Sequence, residues 1–258
     1  MPNPDSASSV NGRPGGKVVV VMPALNAART LARTVSGIPR DWVDEVIVVD
    51  DNSSDETIEL ARELGLHVIW HPHNVGYGGN QKTCYLEALQ RDADAVVMLH
   101  PDGQYEPTLI PKLVAPILAG EADLVLGSRF AERGMARAGG MPLYKYLANR
   151  VLTTIENQLI GMRLTEAHTG YRAYSRRLLL TIPFLRNSID FAFDSEVLFQ
   201  AAHFGMRIVE VPAKSRYFAD ASSISPKAAT SYVLKTLWAA ARLRLHRTGV
   251  LPWRKFKP

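Results

Sequence analysis

Lys17-Val-Val-Val-Val-Met-Pro-Ala-Leu-Asn26 is the stretch that decides the fold. Four β-branched residues and a methionine in a row are too few for a helix core and suit a strand buried on both faces, and Pro23 stops it. The same device recurs. Val46-Ile-Val-Val-Asp50 is a second block, His67-Val-Ile-Trp70 a third, Ala95-Val-Val-Met-Leu99 a fourth and Leu124-Val-Leu-Gly127 a fifth. Helical stretches separate them, over residues 26–36, 55–64, 79–90 and 107–119. Ser53 with Glu56 three residues on forms a capping-box signature for the second of these. Short apolar strands alternating with helices predict an α/β fold, a mostly parallel central sheet with helices on both faces. Beyond Gly127 the rhythm changes. A long helical pattern covers 142–160, irregular polar sequence follows through Arg177, and a helix at 193–204 precedes a strand, Arg207-Ile-Val-Glu-Val211. A terminal helix is expected over 231–247.

Composition limits the function classes. The 258 residues are 47% hydrophobic and 21% charged, which excludes disordered and low-complexity classes and supplies a real core for one or two domains. The single cysteine, Cys84, excludes a disulfide framework and any cysteine-based zinc or iron–sulfur site. Residues 1–16 read as a flexible tail without a signal pattern, and no apolar run reaches the roughly 18 residues of a spanning helix. The expectation is a soluble, cytosolic protein. Thirty Lys and Arg against 25 Asp and Glu give a net charge of +5, and no basic–aromatic motif accompanies it, so no nucleic-acid partner is expected.

In an open parallel sheet, ligands gather beyond the carboxyl ends of the strands, where loop amides and helix N-termini converge. Five consecutive strand ends carry polar chemistry here: Pro23-Ala24-Leu25-Asn26, Asp50-Asp51-Asn52, Asn74-Val-Gly76-Tyr-Gly-Gly79-Asn80-Gln-Lys82, His100-Pro-Asp102-Gly-Gln104 and Ser128-Arg129. Each alone has a plainer reading as a cap or a turn. The glycine loop lacks both the Gly-Lys-Ser/Thr ending and the Gly-x-Gly-x-x-Gly spacing of two common nucleotide motifs.

Together these motifs, with Gly127-Ser-Arg129, Thr169-Gly-Tyr-Arg172 and Phe193-Asp-Ser-Glu196, resemble the family 2 glycosyltransferases of GT-A (Rossmann-like, nucleotide-diphospho-sugar transferase) fold. Within them the chain is most similar to the dolichyl-phosphate mannose synthase-like, polyprenyl-phosphate subgroup. The resemblance spans about residues 18–211. It implies transfer of a sugar, with inversion, from a GDP-mannose or UDP-sugar donor to a polyprenyl (dolichyl or undecaprenyl) phosphate. It implies a catalytic domain at 17–224, with a nucleotide-sugar half ending at 129 and an acceptor half over 130–224, followed by a basic amphipathic helix and tail at 225–258.

The implied donor site comprises Pro23, Ala24, Leu25, Asn26, Asp50, Asp51, Gly76, Gly79, Asn80, Lys82 and Asp102. A divalent cation, Mg2+ or Mn2+, is expected on Asp102 with Gln104 and His100, where the usual Asp-x-Asp has become His100-Pro101-Asp102; a hydrogen bond from behind the metal is the other reading of His100. The implied catalytic residues are Asp102, Arg129 and Asp194, with Glu196 behind Asp194. A lipid phosphate needs positioning more than deprotonation, which points to arginines: Arg129, Arg133 and Arg172, with Arg137 beside them. A soluble hydroxyl acceptor, or a nucleotide-binding module without transfer, are the competing readings. A stripe of Leu234, Leu237, Trp238, Ala241 and Leu245, edged by Lys235, Arg242 and His246, would suit peripheral contact with an anionic membrane. A homo-oligomer remains open.

Overall fold

The computed structural model describes residues 13–216 and 226–257; residues 1–12 of the expected tail and 217–225 lie outside the described part. Seven strands form one sheet among the described residues: β1 (Val18–Ala24), β2 (Glu45–Asp50), β3 (His67–Trp70), β4 (Ala95–Met98), β5 (Leu124–Ser128), β6 (Arg172–Ser175) and β7 (Ile208–Pro212). Their order is β3-β2-β1-β4-β6-β5-β7. Every pairing is parallel except those of β6, which runs antiparallel between β4 and β5 with Ala173 opposite both Val97 and Val125. The expected α/β fold with a mostly parallel sheet is thus the one observed.

Alternation along the strands explains the two helix layers. In β1, Val19 and Val21 enter one buried cluster and Val18, Val20 and Met22 the other. The first cluster is roofed by α3 (Tyr77–Gln90), α7 (Arg176–Thr181), α8 (Ala192–His203) and α9 (Pro226–Arg247), the second by α1 (Ala28–Ser36), α2 (Thr57–Glu63) and α4 (Ile110–Leu118). The short α5 (Met135–Ala138) and the long α6 (Leu143–Ile160) follow β5, and α6 packs against α9.

Several local expectations are corrected. The polar stretch before Arg177 contains β6, whose Ala173 and Tyr174 face opposite clusters, so a strand of four residues is buried on both sides. The second helix begins at Thr57, and Ser53 is not its cap; the Ser53 hydroxyl instead donates to Asp50. The first helix begins at Ala28, because Asn26 adopts a left-handed conformation with φ 53°. The third begins at Tyr77 and the last at Pro226. Of the expected tail, Arg13 is already docked, its guanidinium paired with Asp44.

Candidate active site

The carboxyl ends of β1, β4 and β5 open into one cleft of about 1280 Å³, lined by Pro23, Leu25, Asn26 and Ala27 after β1, by His100, Pro101, Asp102, Gln104 and Tyr105 after β4, and by Arg129 after β5. One flank is largely apolar, with Leu147, Val151, Leu152 and Ile155 of α6 and Val233 and Leu237 of α9, while Lys145, Asn149, His168 and Tyr232 also line the cleft. Polar loops and a greasy flank therefore share a single cavity.

The two aspartates at the end of β2, Asp50 and Asp51, do not line the cleft. Asp50 is fully buried and accepts from the Ser53 amide at 2.8 Å. Asp51, 3% exposed, accepts from the amides of Val75 (2.9 Å) and Gly76 (3.1 Å) and lies 3.0 Å from Nδ1 of His71. A carboxylate that satisfies two successive loop amides fixes the loop before α3. Asn26 is tied to the same region, accepting the Ser54 amide at 2.8 Å and donating its own amide to the Ser53 hydroxyl at 2.8 Å.

From that loop, only Tyr77 enters the cleft. Gly76 has φ 87°, and a Cβ there would stand 2.6 Å from the Ile189 carbonyl. Gly79 packs on Val75, Asn80 donates to the Val49 carbonyl at 3.0 Å, and Lys82 donates to the Asn187 carbonyl. The structure does not bring Gly76, Gly79, Asn80 or Lys82 to the cleft wall; they hold the segment that presents Tyr77. The Tyr77 hydroxyl donates to Asp194 at 2.7 Å, and Gln81 donates to the other oxygen of Asp194 at 3.1 Å. Burial first, then the Asp194 carboxylate, pushes the Tyr77 phenol up, so it stays a donor.

His100 lies parallel to the Tyr77 ring, its Nε2 3.2 Å from the Tyr77 hydroxyl. Gly170 leaves room for it: a Cβ there would come within 3.0 Å of Nε2. Asp102 is braced by its own turn, accepting from the Gln104 amide (3.0 Å) and side-chain Nε2 (2.8 Å). Among the described residues, no three His, Cys, Asp or Glu side chains group as a metal cage. The donor set fits a hard cation that takes one carboxylate from the protein and its other oxygens from a diphosphate and water. Asp102, with Gln104 beside it, would hold such an ion, while Nε2 of His100 is directed to Tyr77.

Arg129 is 8% exposed. Its Nε donates to Glu166 at 2.8 Å, its backbone amide donates to the same carboxylate at 2.7 Å, and a terminal nitrogen reaches the His168 carbonyl at 3.2 Å. Glu166 is in turn held by Asn149 at 3.0 Å. The guanidinium is thus pre-oriented at the cleft edge. Arg172 is placed differently. It is 1% exposed and donates to the carbonyls of Thr169, Asp194 and Ala167 at 2.8, 2.7 and 3.0 Å, lacing the β6 entry to the first turn of α8. Arg133 is exposed away from the cleft lining, and Arg137 donates to the Met141 carbonyl. Glu196 faces the other side of α8, accepting from the Ser188 amide at 2.6 Å and from Lys255 at 2.5 Å. Sequence reasoning missed Tyr77, Glu166, His168 and Tyr232. Tyr77 was visible within the quoted glycine loop; the other three carry no local pattern.

A mostly parallel sheet with an acid-bearing turn after β4 and a cleft across its strand ends is the arrangement that the resemblance to the family 2 glycosyltransferases implied. Residues 19–182 match the model of glycosyl transferase family 2, and the chain belongs to that family. It is 30% identical to an undecaprenyl-phosphate mannosyltransferase of Micrococcus luteus, over 76% of this chain and 82% of that protein. It is 29% identical to a UDP-N-acetylglucosamine–dolichyl-phosphate N-acetylglucosaminyltransferase of Methanococcus voltae, over 78% and 86%. In fold it matches glucosyl-3-phosphoglycerate synthase of Mycobacterium tuberculosis, solved with Mn2+, UDP-glucose and glycerol 3-phosphate: TM-score 0.65, 22% identity, 93% of this chain and 82% of that one. The resemblance read from the motifs is therefore borne out, and the protein is a family 2 glycosyltransferase. No helix among the described residues is long and apolar enough to cross a membrane.

Proposed function

We propose that this cleft moves a sugar from a nucleoside diphosphate donor to a polyprenyl phosphate, with inversion at the anomeric carbon. One observation carries the reading: a single cavity joins a polar floor bearing Asp102, Gln104 and Arg129 to an apolar flank formed by α6 and α9. A diphosphate sugar suits the first part and an isoprenoid chain the second. The relatives named for undecaprenyl-phosphate and dolichyl-phosphate transfer support the acceptor class, and the fold neighbour solved with Mn2+ and UDP-glucose supports the donor class and a divalent cation.

In the transfer, an acceptor phosphate oxygen attacks the anomeric carbon as its bond to the donor diphosphate breaks. The nucleoside diphosphate leaves with that electron pair. A bound divalent cation, held by Asp102 with Gln104, would supply neutralisation of the departing diphosphate. Arg129, already aligned by Glu166, would pair with the acceptor phosphate through its planar fork. No proton has to be removed from an anionic phosphate. An alcohol acceptor would need a base within hydrogen-bond reach, and Asp194 is poorly placed for that: both its oxygens accept bonds from Tyr77 and Gln81, and it is not part of the cleft lining. Asp194 instead orients Tyr77, and through it His100.

The exposed stripe of α9, with Leu234 64% and Trp238 61% exposed beside Lys235 and Arg242, would place the acceptor end of the cleft against an anionic bilayer. Turnover with a panel of GDP- and UDP-sugars, offered either a polyprenyl phosphate or the matching polyprenol, tests the reading. Product from the phosphate alone is expected; transfer to the alcohol alone would overturn it.

A further inference from the structure

Behind the apolar wall of the cleft lies a polar group that the transfer chemistry does not use. Glu156, on the inner side of α6, is completely buried, and neither of its carboxyl oxygens has a hydrogen-bond partner among the described residues. Nε2 of His168 lies 3.4 Å from Oε2 and is also without a hydrogen-bond partner among the described residues. The other ring nitrogen, Nδ1, is 2.6 Å from the Tyr232 hydroxyl, which reaches the Ser195 hydroxyl at 3.1 Å. His168 and Tyr232 both line the cleft, and the His168 carbonyl receives Arg129. Both imidazole nitrogens are thus turned into the protein, so the ring offers the substrate no base. An ionised carboxylate in this position would be severely destabilised, whereas a neutral acid facing a neutral imidazole would not.

We propose that Glu156 and His168 hold one proton between them and act as a positioning pair for the acceptor end of the cleft, keeping Tyr232 bonded and α9 seated against α6. This rests on the acceptor reading given above. Burial raises the Glu156 carboxyl to about 8, opposed by Arg172. Burial also lowers the His168 imidazole to about 3, reinforced by the charges of Arg172 and Arg129. At neutral pH the shared proton therefore resides on the carboxyl. The surrounding groups leave it there. Arg172 of β6 is bound by three carbonyls, Arg129 at the end of β5 is paired with Glu166, and Asp194 of α8 is engaged by Tyr77 and Gln81. The Tyr232 phenol of α9 is itself raised, by burial first and then by Glu156. Once pH passes about 8, an uncompensated charge appears between α6 and α9, and the wall that holds the acceptor chain loosens.

The full-length protein and Glu156→Gln, which keeps the site neutral at any pH, provide the test. Two quantities are read at pH 7 and pH 9: the KM for polyprenyl phosphate, and the amide exchange of residues 229–247 corrected for intrinsic rate. In the wild type, acceptor KM should rise about tenfold with donor KM unchanged, and protection of α9 should fall. In Glu156→Gln both should stay flat. Tyr232→Phe should show at pH 7 the α9 protection that the wild type shows at pH 9. Identical pH responses of wild type and Glu156→Gln, or undiminished protection in Tyr232→Phe, would overturn the proposal. If neither protein uses polyprenyl phosphate at any pH, the acceptor reading falls, and the exchange measurement still decides the pair.

Discussion

Asp102 is the only acidic side chain among the described residues that line the cleft, so the proposed role of a divalent cation converges on it. Asp102→Ala should lower kcat by about a thousandfold, the scale seen when a preorganised electrostatic contribution to the transition state is removed, with thermal stability held within a degree or two as the control. Arg129→Lys keeps a cation but loses the fork that grips Glu166 and that, in the proposed function, would pair with the acceptor phosphate. Its expected signature is a roughly tenfold higher acceptor KM at unchanged donor KM, measured by initial rates. Legibility at this scale was uneven. Asp102, Gln104 and Arg129 were readable because each follows a strand at the sheet's ligand edge. Asp50 and Asp51 were readable as important, but their burial beneath loop amides depends on which segment folds over them. Arg172 and Glu196 looked like ligand-facing charges in sequence; the turns of β6 and α8 aim them inward, where carbonyls, Ser188 and Lys255 consume them.

The strands and helices were legible wherever an apolar block was long enough to have a period. Four of the first five strands carry β-branched runs, and the parallel sheet follows from their alternation with helices. The antiparallel β6 escaped because four residues with a terminal arginine carry no period, and only pairing with β4 and β5 on both sides makes them a strand. The contact between α3 and the loop before α8 was equally invisible. Gly78 there donates its amide to the Ile189 carbonyl at 2.8 Å, and a Cβ would lie 2.4 Å from the Ser188 carbonyl and 2.8 Å from Phe193. Backbone cannot yield as a side-chain tip can, so Gly78→Ala should destabilise by about 2 kcal/mol or more. Gly120→Ala meets nothing among the described residues within 4 Å and has only a φ of 70° to oppose it, so its cost should be about 1 kcal/mol. Parallel denaturation curves would show the two in that order.

For the whole molecule, the buried Glu156 and His168 give stability a defined pH dependence. A carboxyl raised from 4.5 to about 8 on folding stabilises fully below 4.5, and that contribution drains away as pH rises to 8. An imidazole lowered from 6.5 to about 3 contributes fully above 6.5 and loses it as pH falls to 3. The two slopes cancel between 4.5 and 6.5, so this pair predicts a plateau there and a decline from 6.5 to 8 at roughly 1.4 kcal/mol per pH unit. Glu156→Gln should abolish the alkaline decline in chemical denaturation. Flotation with liposomes should show binding to anionic and not to neutral vesicles, with Trp238→Glu reducing it, since residues 226–257 carry cations and no acidic side chain. The cleft itself, however, joins segments more than a hundred residues apart and could be seen only in three dimensions. The most direct measurement of its role is a structure of the protein with Mn2+, a nucleoside diphosphate and a short-chain polyprenyl phosphate. The diphosphate should lie on Asp102 and Gln104, the acceptor phosphate beside Arg129, and the chain along Leu147, Val151 and Leu237. A chain bound elsewhere, with the α6–α9 flank empty while the diphosphate is in place, would contradict the account.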